Sequence, residues 1–105
     1  KLMHREPGLV FTHAGLRPGI SLDAQDPEDL LWIRQEFITD TRDHGVCVVH
    51  GHTPDPEVSL YPNRLNVDGG AGYGRTLQPV VIDDDGIFKV TGEGRFRMPI
   101  KTFNG

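Results

Sequence analysis

The chain has a single cysteine, Cys47, which excludes an internal disulfide framework. It has no apolar run near the ~18 residues that a membrane-spanning helix needs, and no apolar stretch of leader type opens it. A reducing, cytoplasmic setting with no membrane partner is the expectation. Hydrophobic residues are scarce, at 36%, so one modest core is the ceiling for a chain of 105 residues. Basic charge is in deficit: 11 Lys and Arg stand against 15 Asp and Glu, a net charge of -4. Clustered Lys and Arg are what grip a phosphate backbone, so nucleic acid is not an expected partner. An initiator methionine is also missing, and Lys1 is followed almost at once by a strand-like segment. The sequence reads as cut from something longer.

What is present in quantity is turn chemistry. Thirteen Gly and eight Pro predict strands joined by many loops rather than a helical bundle. The run LVFTHAG from Leu9 reads as a short buried strand, continuous in apolar residues and stopped by Gly15 and Pro18, so His13 sits at a strand's C-terminal end. Asp26 is a good N-cap and Pro27 suits the first helical position, which predicts one helix from about Pro27 to Ile38. The run VCVVHGHTP over Val46 to Pro54 reads as a second buried strand ending in His50 and His52. After a Pro-containing loop come strands at RLNV, LQPVVI and IFKV, with the glycine-dense DGGAGYG after the first of them. Residues 1–91 are expected to form the domain, and residues 92–105 a tail.

Ligands gathered at the ends of neighbouring strands are how sheet enzymes assemble sites, because strand ends are rigid while the loops beyond them vary. His13 and His52 meet that description, and a neutral imidazole suits borderline metals. On spacing alone a core or surface histidine is the commoner outcome. His50 and His52 lie on one face if the strand continues, and could then chelate one ion together. Arg34 falls in the middle of a helical stripe of Leu30, Leu31, Phe37 and Ile38, a position that asks for an anion; snorkelling, or pairing with Glu36 or Asp29, is the plainer alternative. DGGAGYG has no following helix and no Lys with Ser or Thr, so it is not a nucleotide loop. Asp68 and Tyr73 either back a metal histidine and line a pocket, or only shape this turn. Cys47, inside an apolar run, reads as an inert buried thiol.

Taken in order, FTHAGLRPG (11–19), DLLWIR (29–34), VVHGHTP (48–54) and NRLNVDGGA (63–71) closely resemble the bacterial serine/threonine protein phosphatases of the calcineurin-like metallophosphoesterase superfamily, over roughly Leu9 to Val81. The resemblance implies an α/β (α+β) fold, the strand-rich C-terminal half of an αββα two-sheet sandwich with one main helix. It implies that His13 and His52 hold the second of two divalent metals (Mn, Fe or Zn) and that Arg34 grips the substrate phosphate. The implied reaction is phosphoester hydrolysis by metal-activated water at a dinuclear site, on phosphorylated Ser/Thr proteins or peptides.

The sequence also departs from that family. Pro54 stands where related branches carry a further metal histidine, as in the protein phosphatases themselves, and Gly69 replaces a customary threonine. The family's Asp-x-His, its bridging Asp with an Arg, and its Asn-His-Glu do not occur. The chain is therefore expected to bind metal weakly or not at all, to be inactive alone, and to need the N-terminal half of the same domain as partner. A dinucleoside tetraphosphate hydrolase is the alternative within the superfamily, and a noncatalytic interaction module is the alternative outside it.

Overall fold

The computed structural model describes residues 2–53, 55, 57–68 and 79–102. Strands β1 (Met3–Glu6) and β2 (Leu9–Thr12) form an antiparallel hairpin. Helices α1 (Pro27–Trp32) and α2 (Gln35–Ile38) then lead into β3 (Cys47–His50), which pairs parallel to β2. Strands β4 (Ser59–Leu60) and β5 (Arg64–Asn66) complete a five-stranded mixed sheet in the order β1-β2-β3-β5-β4, with β3 and β5 again parallel. A second, three-stranded antiparallel sheet follows from β6 (Val80–Asp83), β7 (Gly86–Thr91) and β8 (Gly94–Arg97). The architecture is mixed α and β in two sheets, and no helix among the described residues is long and apolar enough to cross a membrane.

Strand alternation divides the core in two. On the helix side of the first sheet, Val48 joins Ala14, Leu16, Leu30, Ile33 and Phe37. On the opposite side, Val49 and Leu65 join Val58, Leu60 and Met98, and the second sheet contributes Val80, Ile82 and Ile87. The register Val48↔Arg64 and His50↔Asn66 puts Arg64, His50 and Asn66 on the helix-side face, all of them buried. Three polar side chains inside a short parallel pair need dedicated partners.

Three sequence expectations change here. The single helix over Pro27 to Ile38 is two helices: Ile33 is extended (φ -60, ψ 144) and Arg34 lies outside the helical region (φ -132, ψ -95). An unbroken helix would have carried the guanidinium within the apolar stripe; the break buries Ile33 and leaves Arg34 exposed. The start of the helix is as expected, with Asp26 accepting from the Glu28 N–H at 2.9 Å and Pro27 in the first turn. Gly92 and Gly94 belong to a hairpin that returns β8 along β7, with Met98 buried behind it, so a strand lies within the span expected as a tail. Arg95 and Arg97 cover the Phe88 ring at 4.1 and 4.8 Å, apolar burial that a charged, glycine-rich segment conceals in sequence. Finally, β1 and β4 form where no strand was expected.

Candidate functional site

The parallel strands β2, β3 and β5 end at one edge of the sheet, and the residues just beyond them are stitched together. The Gly51 N–H donates to the His13 carbonyl at 2.8 Å, and the Val67 N–H donates to the His50 carbonyl at 2.8 Å. The buried Asn66 amide donates to the Thr53 carbonyl (2.9 Å) and accepts from the Asp68 N–H (2.9 Å), while the Asp55 N–H donates to the Asp68 carbonyl at 3.2 Å. The turn after β2 is held on its other flank, where the Ala14 N–H donates to the Leu30 carbonyl at 2.8 Å. Gly15 has φ +147, and a Cβ there would lie 2.3 Å from Phe37 Cδ2. The chain can pass over the core aromatic only as glycine, and this passage carries His13 to the edge.

His13 and His52 meet there, with ring centroids 5.1 Å apart and planes inclined by 53°. Arg34, delivered by the helix break, donates from Nε to His52 Nε2 at 3.1 Å, which places the His52 ring proton on Nδ1. The alternative partners of Arg34 are engaged elsewhere. Asp29 holds Arg17 in a two-pronged pair (3.2 and 2.8 Å), and Glu36 lies 3.6 Å from the same guanidinium. That pairing keeps the Asp29 carboxyl below its usual range. Trp32 stands 63% exposed with its ring edge-on to His52 at 5.8 Å, an aromatic wall that the sequence reading passed over. Burial first, then repulsion from the Arg34 guanidinium and the neighbouring His13 ring, push the His52 pKa below its ordinary value, with Asp68 opposing them. His52 is thus neutral at physiological pH, the state in which an imidazole binds a metal.

His52 reaches this position through an unusual turn. Its φ is +67, the only positive value outside glycine among the described residues, and the Thr53 N–H donates back to the Gly51 carbonyl at 2.7 Å. A bond closing three residues about a positive-φ centre is the rare, strained form of the γ-turn. Such a backbone costs on the order of 1–3 kcal/mol and persists only where its surroundings impose it.

His50 and His52 do not share a face. β3 stops at His50, whose ring turns into the core, edge-on to Phe37 at 4.9 Å and 1% exposed. His50 Nδ1 donates to the Gly51 carbonyl at 3.1 Å, and Nε2 accepts from Arg64 Nη1 at 3.0 Å. With both ring nitrogens engaged, His50 has no lone pair for an ion, and chelation by His50 and His52 together is not realised because the chain turns between them. Burial above all drives the His50 pKa down to about 4. Arg64 is 3% exposed and stacks on the Tyr61 ring at 4.0 Å, and the Tyr61 hydroxyl donates to Asp55 at 3.1 Å. Cys47 is half-buried among apolar side chains, and desolvation raises its thiol pKa, as expected of an inert thiol.

Asp68 lies beside this edge, its Cβ 3.8 Å from where a Cβ on Gly51 would stand. Tyr73 and Gly69 lie outside the described residues. Among the described residues no group of three or more His, Cys, Asp and Glu is arranged to hold a metal ion. His13 and His52 offer two imidazole nitrogens, fewer donors than a complete coordination sphere takes. Arg64 and Asn66 were legible only as polar letters inside an otherwise strand-like RLNV; a buried strand that opens on a charged residue is the signal that could have marked them.

No protein-family model matches this chain, and neither a curated protein nor a solved structure is similar to it.

Proposed function

We propose that this edge is the phosphate-handling part of a metal-dependent phosphoesterase, most specifically a serine/threonine protein phosphatase, built on one half of an αββα sandwich. The observation that carries the reading is the meeting of three separate segments: His13, Arg34 and His52 lie at one point, with ring centroids at 5.1 Å and the guanidinium 3.1 Å from His52. Burial alone does not require this, since His13 and Arg34 are exposed.

In this reading His13 and His52 contribute two neutral imidazole ligands to a divalent ion such as Mn, Fe or Zn, and Arg34 holds the substrate phosphoryl group. The ion pair, when bound, supplies Lewis-acid polarisation of the phosphoryl oxygens and of the attacking water. Arg34 contributes a planar, permanently charged fork that matches two phosphoryl oxygens and holds the group in line as negative charge grows on it. Trp32 shields one side of His52 and narrows the approach to it. Two imidazoles without a carboxylate bridge bind an ion weakly, so the remaining ligands come from outside these residues, and this chain alone turns over no phosphoester.

Titrating Zn²⁺ or Mn²⁺ while following imidazole and amide resonances tests the reading. The expected result is a selective response of His13 and His52, with p-nitrophenyl phosphate hydrolysed no faster than in buffer. A titration that leaves both rings unmoved, or moves all histidines alike, removes the metal-site reading and favours a noncatalytic interaction module.

A further inference from the structure

We propose that Arg64 and His50 form a positioning relay: the Arg64 guanidinium fixes which ring nitrogen of His50 carries the proton, and that proton, donated to the Gly51 carbonyl, locks the strained turn that aims His52 at His13. The chain of contacts is continuous, from Arg64 Nη1 to His50 Nε2 (3.0 Å), from His50 Nδ1 to the Gly51 carbonyl (3.1 Å), and from the Thr53 N–H to the same carbonyl (2.7 Å).

One rigid peptide plane links Gly51 to His52. The Gly51 carbonyl and the His52 N–H belong to the same planar unit, so fixing the direction of that carbonyl sets φ of His52. Gly51 has no Cβ to restrict it, and a free glycine would let the plane swing. Two donors converge on its oxygen: Thr53 closes the turn, and His50 anchors it to the core. A carbonyl has two acceptor sites, and both are used.

Arg64 is needed because His50 alone is ambiguous. A neutral imidazole exists in two tautomers, and only the one protonated at Nδ1 can donate to Gly51. A guanidinium has donors and no acceptor, so its contact with Nε2 excludes a proton there. Arg64 is in turn held by the Tyr61 ring at 4.0 Å and is 3% exposed, and His50 stands edge-on to Phe37 at 4.9 Å. Neither side chain has room to rotate away. This accounts for two buried polar groups in a short strand pair, which apolar packing would not select.

The relay's weight for function rests on the phosphoesterase reading, but its geometry can be tested without it. Nitrogen-15 spectra of the imidazoles should show wild-type His50 protonated at Nδ1 and bare at Nε2; the opposite tautomer overturns the proposal outright. His50→Phe keeps an aromatic ring against Phe37 and removes both bonds, whereas His50→Asn is smaller but places an amide donor near the position of Nδ1. Expected for His50→Phe are loss of the ring-to-ring nuclear Overhauser contact between His13 and His52 and faster exchange of the Thr53 amide. His50→Asn should restore both, although it packs worse. Arg64→Met should give a mixed His50 tautomer with the same loosening, and Arg64→Gln, whose amide can either donate to Nε2 or accept from it, serves if Arg64→Met does not fold. Loss of an outer partner of a metal histidine weakens metal binding by about 10–100-fold, so Zn²⁺ affinity should fall by about tenfold in His50→Phe. If wild type itself gives no Zn²⁺ response, the phosphoesterase reading fails while the Overhauser and exchange measurements still decide the relay. Folded His50→Phe with an unchanged His13–His52 contact and unchanged Thr53 exchange refutes it.

Discussion

Removing Arg34 should strengthen metal binding, although Arg34 is read as part of the same site. Its Nε donates to His52 Nε2 at 3.1 Å, which is the lone pair an ion would take, so metal and guanidinium compete for one atom. A hydrogen bond with a charged donor contributes about 1.5–3 kcal/mol when buried and about 1 kcal/mol at an exposed site such as this. A divalent ion about 4 Å from the guanidinium is also repelled, by about 2 kcal/mol in water before salt screening. The two effects together, reduced by screening, place Arg34→Ala at about tenfold tighter Zn²⁺ binding than wild type, which corresponds to about 1.4 kcal/mol. The measurement belongs near pH 7.5, because loss of Arg34 also relieves part of the downward push on the His52 pKa. At that pH the ring is neutral in both proteins and protons do not compete. The assay is a Zn²⁺ titration followed at the His13 and His52 rings, repeated with inorganic phosphate present. Wild type should bind Zn²⁺ more tightly with phosphate than without, since the anion draws the guanidinium away; Arg34→Ala should lose that linkage. Equal or weaker Zn²⁺ binding by Arg34→Ala would refute the competition and leave the 3.1 Å contact without a role at the site.

Gly15→Ala places a Cβ 2.3 Å from Phe37 Cδ2 at a backbone φ of +147; it should cost about 2–4 kcal/mol and lower Tm by about 10 °C or more in thermal denaturation, and a Tm within about 2 °C of wild type would show that the turn relaxes freely. Stability should fall on acidification between about pH 6.5 and 4, measured by urea denaturation in a chelator. His50 has a folded pKa of about 4 against an ordinary 6.5, so across that window the unfolded chain binds the proton and the folded chain does not. The loss is about 3 kcal/mol at most, with His44 and His52 adding in the same direction because burial lowers both. His50→Phe should flatten most of that slope, and an unchanged slope would show that His50 protonates readily in the folded protein.

The local elements were written in local chemistry, and the sequence alone determined them: the two central strands from their continuous apolar runs, the start of α1 from Asp26 and Pro27, and the positions of His13 and His52 just past strand ends. These signals act between residues close in the chain. What required the tertiary structure was every decision taken against a distant neighbour. The helix breaks at Ile33–Arg34 because a continuous one would bury a guanidinium, and whether that burial is tolerable depends on what packs opposite. β8 was hidden because Arg95 and Arg97 read as solvent-seeking until Phe88 is seen beneath them. His50 and His52 looked equivalent at a spacing of two. Only the parallel register that sets His50 beside Asn66 and brings Arg64 to the same face, together with the left-handed turn at His52, sends one ring into the core and the other to the edge. Which imidazole reaches the edge is a property of its surroundings, and those surroundings come from strands far apart in sequence.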